Sequence, residues 1–336
     1  MSTRREFISH LTLLAAAGLL PTTRSWSQIA PTYTFPFKKL PYEPGKGGDV
    51  IVISGIENGG NVLILPSEKG TIVVDAKHAY SAPDLLKDIQ THINGEPGLL
   101  ITTHHHMDHS GGNWIFKPKT EIIAQTNFYA RIEPNLVRYA EEANQHYKEL
   151  SRKNPNDPRL PALAKLVDQL KTFSVANYSS TKQVEESETV THGGVEIVLK
   201  HFGNGHTDND LVVFFPKLNL MHTGDLLFYN LHPFIDRNAR GTTVGWQNSL
   251  RKMLEMCDDN TIVVPGHGEV ANKAALQAQI EYFDVMRAAV EKAREDGRGR
   301  EFIVNMHPEQ YANYGFPTLQ PRVLGVIYDE LTEPTG

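Results

Sequence analysis

A single cysteine, Cys257, in 336 residues excludes any internal disulfide, and with no CxxC partner it offers no start for a zinc–thiolate site. A metal bound by this chain must therefore be held by histidine and carboxylate. Positive charge is also short. With 33 Lys and Arg against 39 Asp and Glu, the formal charge is -6, so there is no bulk basic surface and nucleic acid is disfavoured as a partner. Long apolar runs are missing too: Leu11 to Leu20 is too short to span a membrane as a mature helix. No repeat of solenoid period is visible. What is present is ordinary globular material, 40% hydrophobic and 21% charged, enough for one large domain or two small ones. It includes 15 histidines, whose grouping matters more than their number.

The first residues read as an address. Arg4 and Arg5 precede the short apolar run, and Ser25 and Ser27 place small residues at the -3 and -1 positions of a cut before Gln28. The string Thr3-Arg4-Arg5-Glu6-Phe7-Ile8 resembles the twin-arginine export signal, with Ser9 where lysine is often found. Such a signal moves folded proteins, which suits one that takes up its cofactor in the cytoplasm. Residues 1–27 are thus expected to be a signal peptide, 28–47 a proline-rich linker, and 48–336 the functional domain of a periplasmic or otherwise exported bacterial protein. The alternative is an uncleaved amphipathic N-terminus.

Beyond the linker the chain alternates strand and helix signals. Val50 to Ser54, Val62 to Leu65 and Thr71 to Asp75 are short apolar runs separated by glycine-containing turns, and they predict an antiparallel meander. Pro83 to Ile93 has helical spacing, and Leu99 to Thr102 and Glu121 to Ala124 read as buried strands. Later strands are expected at Val195 to Lys200, Leu211 to Phe215, Leu220 to His222 and Thr261 to Val264, with helices near Gly245 to Met256 and Lys273 to Arg294. Apolar residues repeatedly give way to His, Asp and Gly at strand ends, where layered α/β proteins build sites.

The densest such end is Thr102-Thr103-His104-His105-His106-Met107-Asp108-His109-Ser110-Gly111-Gly112. Extended backbone after Thr102 places His104 and His106 on one side with His105 opposed, and Asp108 and His109 fall where the chain turns into a helix. Imidazoles and a carboxylate at this spacing suit borderline-soft divalent ions such as zinc; iron and manganese are not excluded. The bland alternative, a histidine-rich surface loop, does not account for Asp-His and a glycine pair between strand and helix.

HxHxDH followed by Gly-Gly resembles the signature of the metallo-β-lactamase superfamily, and the resemblance runs in order from about Gly48 to Gly268. Gly203-Asn204-Gly205-His206-Thr207 supplies the family's next histidine, His222-Thr223-Gly224-Asp225 its Gly-Asp pair, and Val264-Pro265-Gly266-His267-Gly268 its Pro-Gly-His turn. Each later motif alone is weak; four in order are specific. The resemblance implies an α/β fold, a four-layer αββα sandwich with metals at the edge between two sheets. It also implies two zinc ions, the first on His104, His106 and His206, the second on Asp108, His109 and His267, with Asp225 bridging. Such a pair of ions about 3.5 to 4 Å apart can share a water whose pKa falls to roughly 7, giving a hydroxide nucleophile. Asp108 is placed to orient it and carry its proton. Asp75, in Val73-Val74-Asp75, resembles the family's strand-end aspartate that supports the ligand loop.

The implied function is hydrolysis of a small ester, thioester, lactone or amide. A β-lactamase proper is an alternative, although those enzymes generally carry cysteine or serine where Asp225 stands and often lysine where Phe228 stands. Iron-dependent persulfide dioxygenases share the ligand motif, whereas flavodiiron proteins usually carry glutamate at the place of His106. A non-catalytic metal sensor is the non-enzymatic reading, against which no expected ligand is missing. His222 and Asp210 flank ligand motifs and are candidate supports; Tyr229, His232 and Arg237 follow Asp225 in a loop expected to rim the metals and touch substrate. His78, His92, His146, His192, His201 and His307 sit in no motif and read as packing or solvated residues. The stretch from 131 to 182 is helical in pattern, broken by Pro155, Pro158 and Pro161, and interrupts the family order as either a cap over the cleft or an inert insertion. A C-terminal helical segment is expected over 273–336. Oligomeric state has no sequence signal.

Overall fold

The computed structural model describes residues 35–40, 49–55, 59–93 and 95–333. The expected signal peptide and most of the expected linker lie outside the described residues. Within that linker span, however, Phe37–Leu40 forms strand β1. It is a largely exposed edge strand paired antiparallel with β2 (Val50–Ile53), so the sheet begins earlier than residue 48.

The first sheet follows chain order: β1, β2, β3 (Val62–Leu65), β4 (Thr71–Val74), β5 (Pro97–Ile101), β6 (Glu121–Gln125) and β7 (Lys182–Val184). Strands β1 to β4 form the antiparallel meander; from β4 to β7 the pairing is parallel. Parallel neighbours need crossovers, and these carry the helices. Helix α1 (Ala82–Ile93) lies between β4 and β5, and α2 (Met107–Ser110) and α3 (Asn113–Phe116) lie between β5 and β6. The span from β6 to β7 carries α4 (Phe128–Lys153), α5 (Leu160–Leu170) and α6 (Val175–Tyr178). The break after α4 covers Pro155 and Pro158; Pro161 sits in the first turn of α5, where its missing N–H costs nothing.

The second sheet runs β8 (Ser187–His192), β9 (Val195–Lys200), β10 (Val212–Phe215), β11 (Leu220–His222), β12 (Ile262–Val264) and β13 (Ala271–Asn272). Only β11 and β12 pair in parallel, joined through α7 (Thr243–Glu255). Helices α8 (Lys273–Glu295), α9 (Arg300–Val304) and α10 (Gln320–Thr332) complete the chain. Strand β8 reads Ser-Glu-Thr-Val-Thr-His, alternately exposed and half-buried. With no apolar stripe, it gave the sequence reading nothing to recognise.

Strand alternation builds the layers. Ile51, Ile53, Val62, Ile64 and Val73 face α1, α3 and α4, against Leu85, Ile89, Phe116 and Phe128. Their neighbours Val50, Val52, Leu63, Leu65 and Val74 face the second sheet, against Leu199, Val213, Phe215 and Val264. On the far side of that sheet, Val212, Met221 and Val263 pack on Trp246, Leu250, Phe283 and Leu324. Burial on both faces explains why runs such as Val50–Ile53 carry no polar residue. The result is the αββα sandwich. Among the described residues no helix is long and apolar enough to cross a membrane.

Asn61, at the start of β3, ties the two sheets together at one end. Its side-chain amide donates to the carbonyls of Pro265 (2.8 Å) and Gly268 (2.9 Å), and its backbone N–H donates to Gly266 O (2.7 Å). Replacing Asn61 with Ala strips those two carbonyls of their donor, at a cost of about 1–3 kcal/mol. The metal-free Asn61→Ala protein should therefore melt several degrees below the parent in calorimetry. An unchanged midpoint would show that water takes over both carbonyls.

Candidate metal centre

The site forms where two parallel strand pairs end. In the first sheet, β4 and β5 finish side by side, which places Asp75 next to the Thr103–His106 run; in the second, β11 and β12 place Asp225 next to His267. The two ends meet across the gap between the sheets. Helix α2 is a single turn that follows His106 and presents Asp108 and His109.

Two groups of donors flank Asp225, and a third, His105, His106 and Asp236, lies beside the first. In the first, His104, His106, His206 and Asp225 converge within 4.8 Å of one another. His206 Nε2 lies 2.9 Å from His106 Nδ1, and Asp225 Oδ2 lies 3.5 Å from His206 Nε2 and 3.7 Å from His104 Nε2. In the second, His267 Nε2 lies 3.2 Å from Asp108 Oδ2 and 3.3 Å from His109 Nε2. The other oxygen of Asp225, Oδ1, reaches this group at 3.0 Å from His109 Nε2 and 3.5 Å from His267 Nε2. Asp225 thus turns one carboxylate oxygen to each group. All of these side chains are buried except Asp108, which is 27% exposed.

The far nitrogen of most of these rings is already engaged, which aims the near one inward. His109 Nδ1 donates to Asp75 Oδ2 (2.7 Å) and His206 Nδ1 to the carbonyl of Phe234 (2.6 Å). His104 Nδ1 donates to Thr103 Oγ1 (3.0 Å), whose hydroxyl donates in turn to Asp75 Oδ2 (2.8 Å), and His106 Nε2 donates to Asp236 Oδ2 (2.9 Å). By contrast, His104 Nε2 and Asp225 Oδ1 are buried inside the groups with no hydrogen-bond partner. Orphaned buried acceptors are rare, and a cation held at each group would satisfy the one that faces it.

Electrostatics divides the two groups. Burial, reinforced by neighbouring imidazoles, pushes His104 well below its ordinary value, and burial takes His206 down to about 4, so both rings are neutral and free to donate lone pairs. For His109 and His267 burial also pulls downward, but Asp225 and Asp108 outweigh it and lift His109 well above its ordinary value and His267 to about 9. The carboxylates Asp108 and Asp225 are disfavoured by burial yet held well below the usual range by His109 and their other imidazole neighbours. The second group draws in positive charge, and a divalent ion supplies it better than protons do.

Of the candidate supports, Asp75 also accepts the backbone N–H of Thr103 (2.8 Å) from a left-handed backbone position, φ 67°. His222 accepts the N–H of Gly224 (3.1 Å) and faces the carbonyl of Asn61, which braces the turn carrying Asp225. The carboxylate of Asp210 accepts the N–H (2.9 Å) and hydroxyl (2.5 Å) of Thr207 and so holds the loop of His206, its carbonyl faces His201 Nδ1 (2.8 Å), and burial raises its carboxyl to about 8.

A cleft of about 340 Å³ opens on Asp108, His106, Asp225 and His267. Its walls correct the expectation for Tyr229, His232 and Arg237, none of which lines it. Tyr229 packs on the helix-side core of the second sheet, His232 shares a 2.7 Å hydrogen bond with the Tyr282 hydroxyl, and Arg237 donates to Glu333 (3.1 Å) on the chain after α10. The loop instead offers Phe228 and Phe234, joined by Phe316 and Leu319 from the C-terminal segment. From the insertion, α4 forms the opposite wall with Asn135, Arg138, Tyr139 and Glu142. Those four sit at i, i+3, i+4 and i+7, a one-face spacing that was readable in the sequence. His78, read as an ordinary packing residue, also lines the cleft, its ring stacked on Tyr80 at 4.9 Å. Asp236 was missed because it lies in no motif.

Comparison with known proteins agrees with this geometry. The family model of the metallo-beta-lactamase superfamily matches residues 55–267. A probable metallo-hydrolase of Bacillus subtilis, YqjP, is 30% identical over 203 residues, 58% of this chain and 61% of that one. The metallo-beta-lactamase IND-1 of Chryseobacterium indologenes is 24% identical over 224 residues, 65% of this chain and 75% of its own. Among solved structures, the sec-alkylsulfatase Pisa1 from Pseudomonas sp. superposes with a TM-score of 0.57 at 16% identity, covering 84% of this chain and 49% of that one. The metallo-beta-lactamase IND-7 gives 0.51 at 20% identity, with 73% and 96% covered. The chain thus spans less than two thirds of the Bacillus relative and about half of the alkylsulfatase.

Glycine is needed at one wall of the second group: a Cβ on Gly266 would fall 2.0 Å from Asp225 Oδ1. Gly266→Ala should therefore displace Asp225 and lower the divalent-metal content of the purified protein, read by atomic emission, while the metal-free fold persists by circular dichroism. A full metal complement in this variant would mean that Asp225 is not needed to hold metal.

Proposed function

The chain belongs to the metallo-β-lactamase superfamily, and we propose that it is a metallo-hydrolase that uses two zinc ions to cleave a small ester, thioester, lactone or amide. The observation that carries this reading is the carboxylate of Asp225, with one oxygen facing each donor group. His104, His106 and His206 would hold the first ion, Asp108, His109 and His267 the second. The all-nitrogen-and-oxygen donor set suits zinc at near-tetrahedral geometry. When bound, the metal would supply Lewis-acid polarisation of a scissile carbonyl and lower the pKa of a water to about 7.

The chain's own residues do the rest. Asp108, the ligand carboxylate open to the cleft, orients the attacking water and takes its proton. Phe228, Phe234, Phe316 and Leu319 exclude water from one side and favour an apolar or aromatic substituent on the substrate. A β-lactamase proper is the second reading, favoured by the likeness to IND-1 and by Arg138, a cation in the cleft that could meet a drug carboxylate. Against it, Phe228 stacks on His267 at 5.0 Å and offers no charge.

Purified protein should carry about two zinc ions, and turnover of ester, thioester or lactone panels should exceed that of β-lactams, with Asp225→Ala losing metal and activity together. Hydrolysis of penicillins or carbapenems at kcat/KM above roughly 10⁴ M⁻¹s⁻¹, with the other classes slow, would instead make this a β-lactamase. One iron and oxygen uptake with a persulfide would favour dioxygenase chemistry. Export belongs to the same proposal, supported by the Arg4-Arg5 string. Changing both arginines to lysine should strand a folded precursor in the cytoplasm, since a receptor-read pair does not accept lysine; normal appearance in the periplasm on cell fractionation would remove the twin-arginine assignment.

A further inference from the structure

We infer that Asp236 is a positioning residue for the metal centre, fixing the tautomer and direction of His106 from a loop that helix α4 holds in place. The inference rests on the dinuclear reading above. His104 and His206 face the first group with Nε2, whereas His106 faces it with Nδ1. An imidazole that offers Nδ1 must keep its proton on Nε2, and the atom that accepts that proton is Asp236 Oδ2, at 2.9 Å.

Asp236 is itself over-determined. Its other oxygen accepts the N–H groups of Asn238 (3.0 Å) and Ala239 (3.2 Å), its own N–H donates to the carbonyl of His206 (3.1 Å), and its carbonyl accepts from Gly241 (2.8 Å). One residue therefore touches both the ring of His106 and the backbone of His206. The loop is anchored in turn to α4: Arg131 donates through Nη1 to the carbonyl of Asn238 (3.0 Å) and pairs its guanidinium with Asp208, two residues after His206. His109, and His104 through Thr103, lean instead on Asp75. The centre thus has two carboxylate supports: Asp75, which serves His109 in the second group and His104 in the first, and Asp236, which serves His106. The insertion helix that walls the cleft is fastened to the second support.

The competing explanation is that Asp236 only caps the short turn after it. Two variants separate the roles. In Asp236→Ser the hydroxyl can still accept from the Asn238 and Ala239 amides but cannot reach His106. In Asp236→Asn, with the amide oxygen kept on that cap, the NH₂ faces His106 Nε2 and donates to it. The ring proton then moves to Nδ1 and turns the donor lone pair away from the first group.

Both variants should bind one of two Zn²⁺ ions about 10- to 100-fold more weakly in competition with a chromophoric chelator, while the metal-free protein stays folded by circular dichroism. In the ¹⁵N–¹H imidazole spectrum of the metal-free protein, Asp236→Asn should move the His106 proton from Nε2 to Nδ1. Parent-like zinc affinity in both variants, or loss of the metal-free fold in both, would overturn the inference and leave Asp236 a turn cap. A parent protein with no second zinc would instead overturn the dinuclear reading.

Discussion

The carboxylate of Asp225 is the constraint around which the rest of the molecule is arranged. It is 4% exposed, between four imidazoles. A carboxylate taken out of water is costly unless it is paired, and the surrounding imidazoles offset that cost. The geometry is narrow. Asp225 follows β11 and His267 follows β12, and the parallel pairing of those strands brings the two turns together through the Gly266 N–H donating to Gly224 O at 2.8 Å. Any side chain at Gly266 would occupy the place of Oδ1.

A polar centre buried at the edge of an apolar sandwich also needs its outward-facing nitrogens satisfied. The structure does this with few groups. Asp75 serves His109 directly and His104 through Thr103, the carbonyl of Phe234 serves His206, and Asp236 serves His106. Asp75 and Asp236 are buried and the Phe234 carbonyl is partly so, which strengthens these bonds, and losing one leaves an unpaired group behind. His267 is the exception. Its Nδ1 is buried without a partner, and its ring is held by stacking on Phe228. The centre is therefore braced by hydrogen bonds at His104, His106, His109 and His206 and by aromatic packing at His267.

The walls of the cleft come from elements outside the shared motifs: α4, the loop through Phe228 and Phe234, and the segment at Phe316 and Leu319. A scaffold that keeps its metal ligands at strand ends can change its walls without disturbing them, which separates chemistry from substrate choice. In this chain the separation is incomplete, because Arg131 on α4 is fastened to Asp208 and to the loop of Asp236.

Much of this was legible in the sequence, and for identifiable reasons. Doubly buried strands show as apolar runs, so β2, β3 and β4 were located to within a residue or two, and β9, buried on one face, showed in its alternation. The donors of both groups stand in contiguous motifs, because chemistry at a strand end is encoded locally. What escaped is what local pattern does not encode. The edge strands β1 and β8 bury too little to carry a hydrophobic signature. Asp236 and His78 are single polar residues whose roles arise from partners distant in the chain, His106 for one and Tyr139 for the other. Tyr229, His232 and Arg237 had the right composition for a substrate loop, but tertiary packing turned them toward Tyr282, Glu333 and the core, and left phenylalanines facing the cleft. The sequence by itself determined which atoms can hold metal, because donor type and spacing are local properties. Only the folded chain decided which side chains support those atoms and which meet the substrate, because both depend on surfaces that come together across the two sheets.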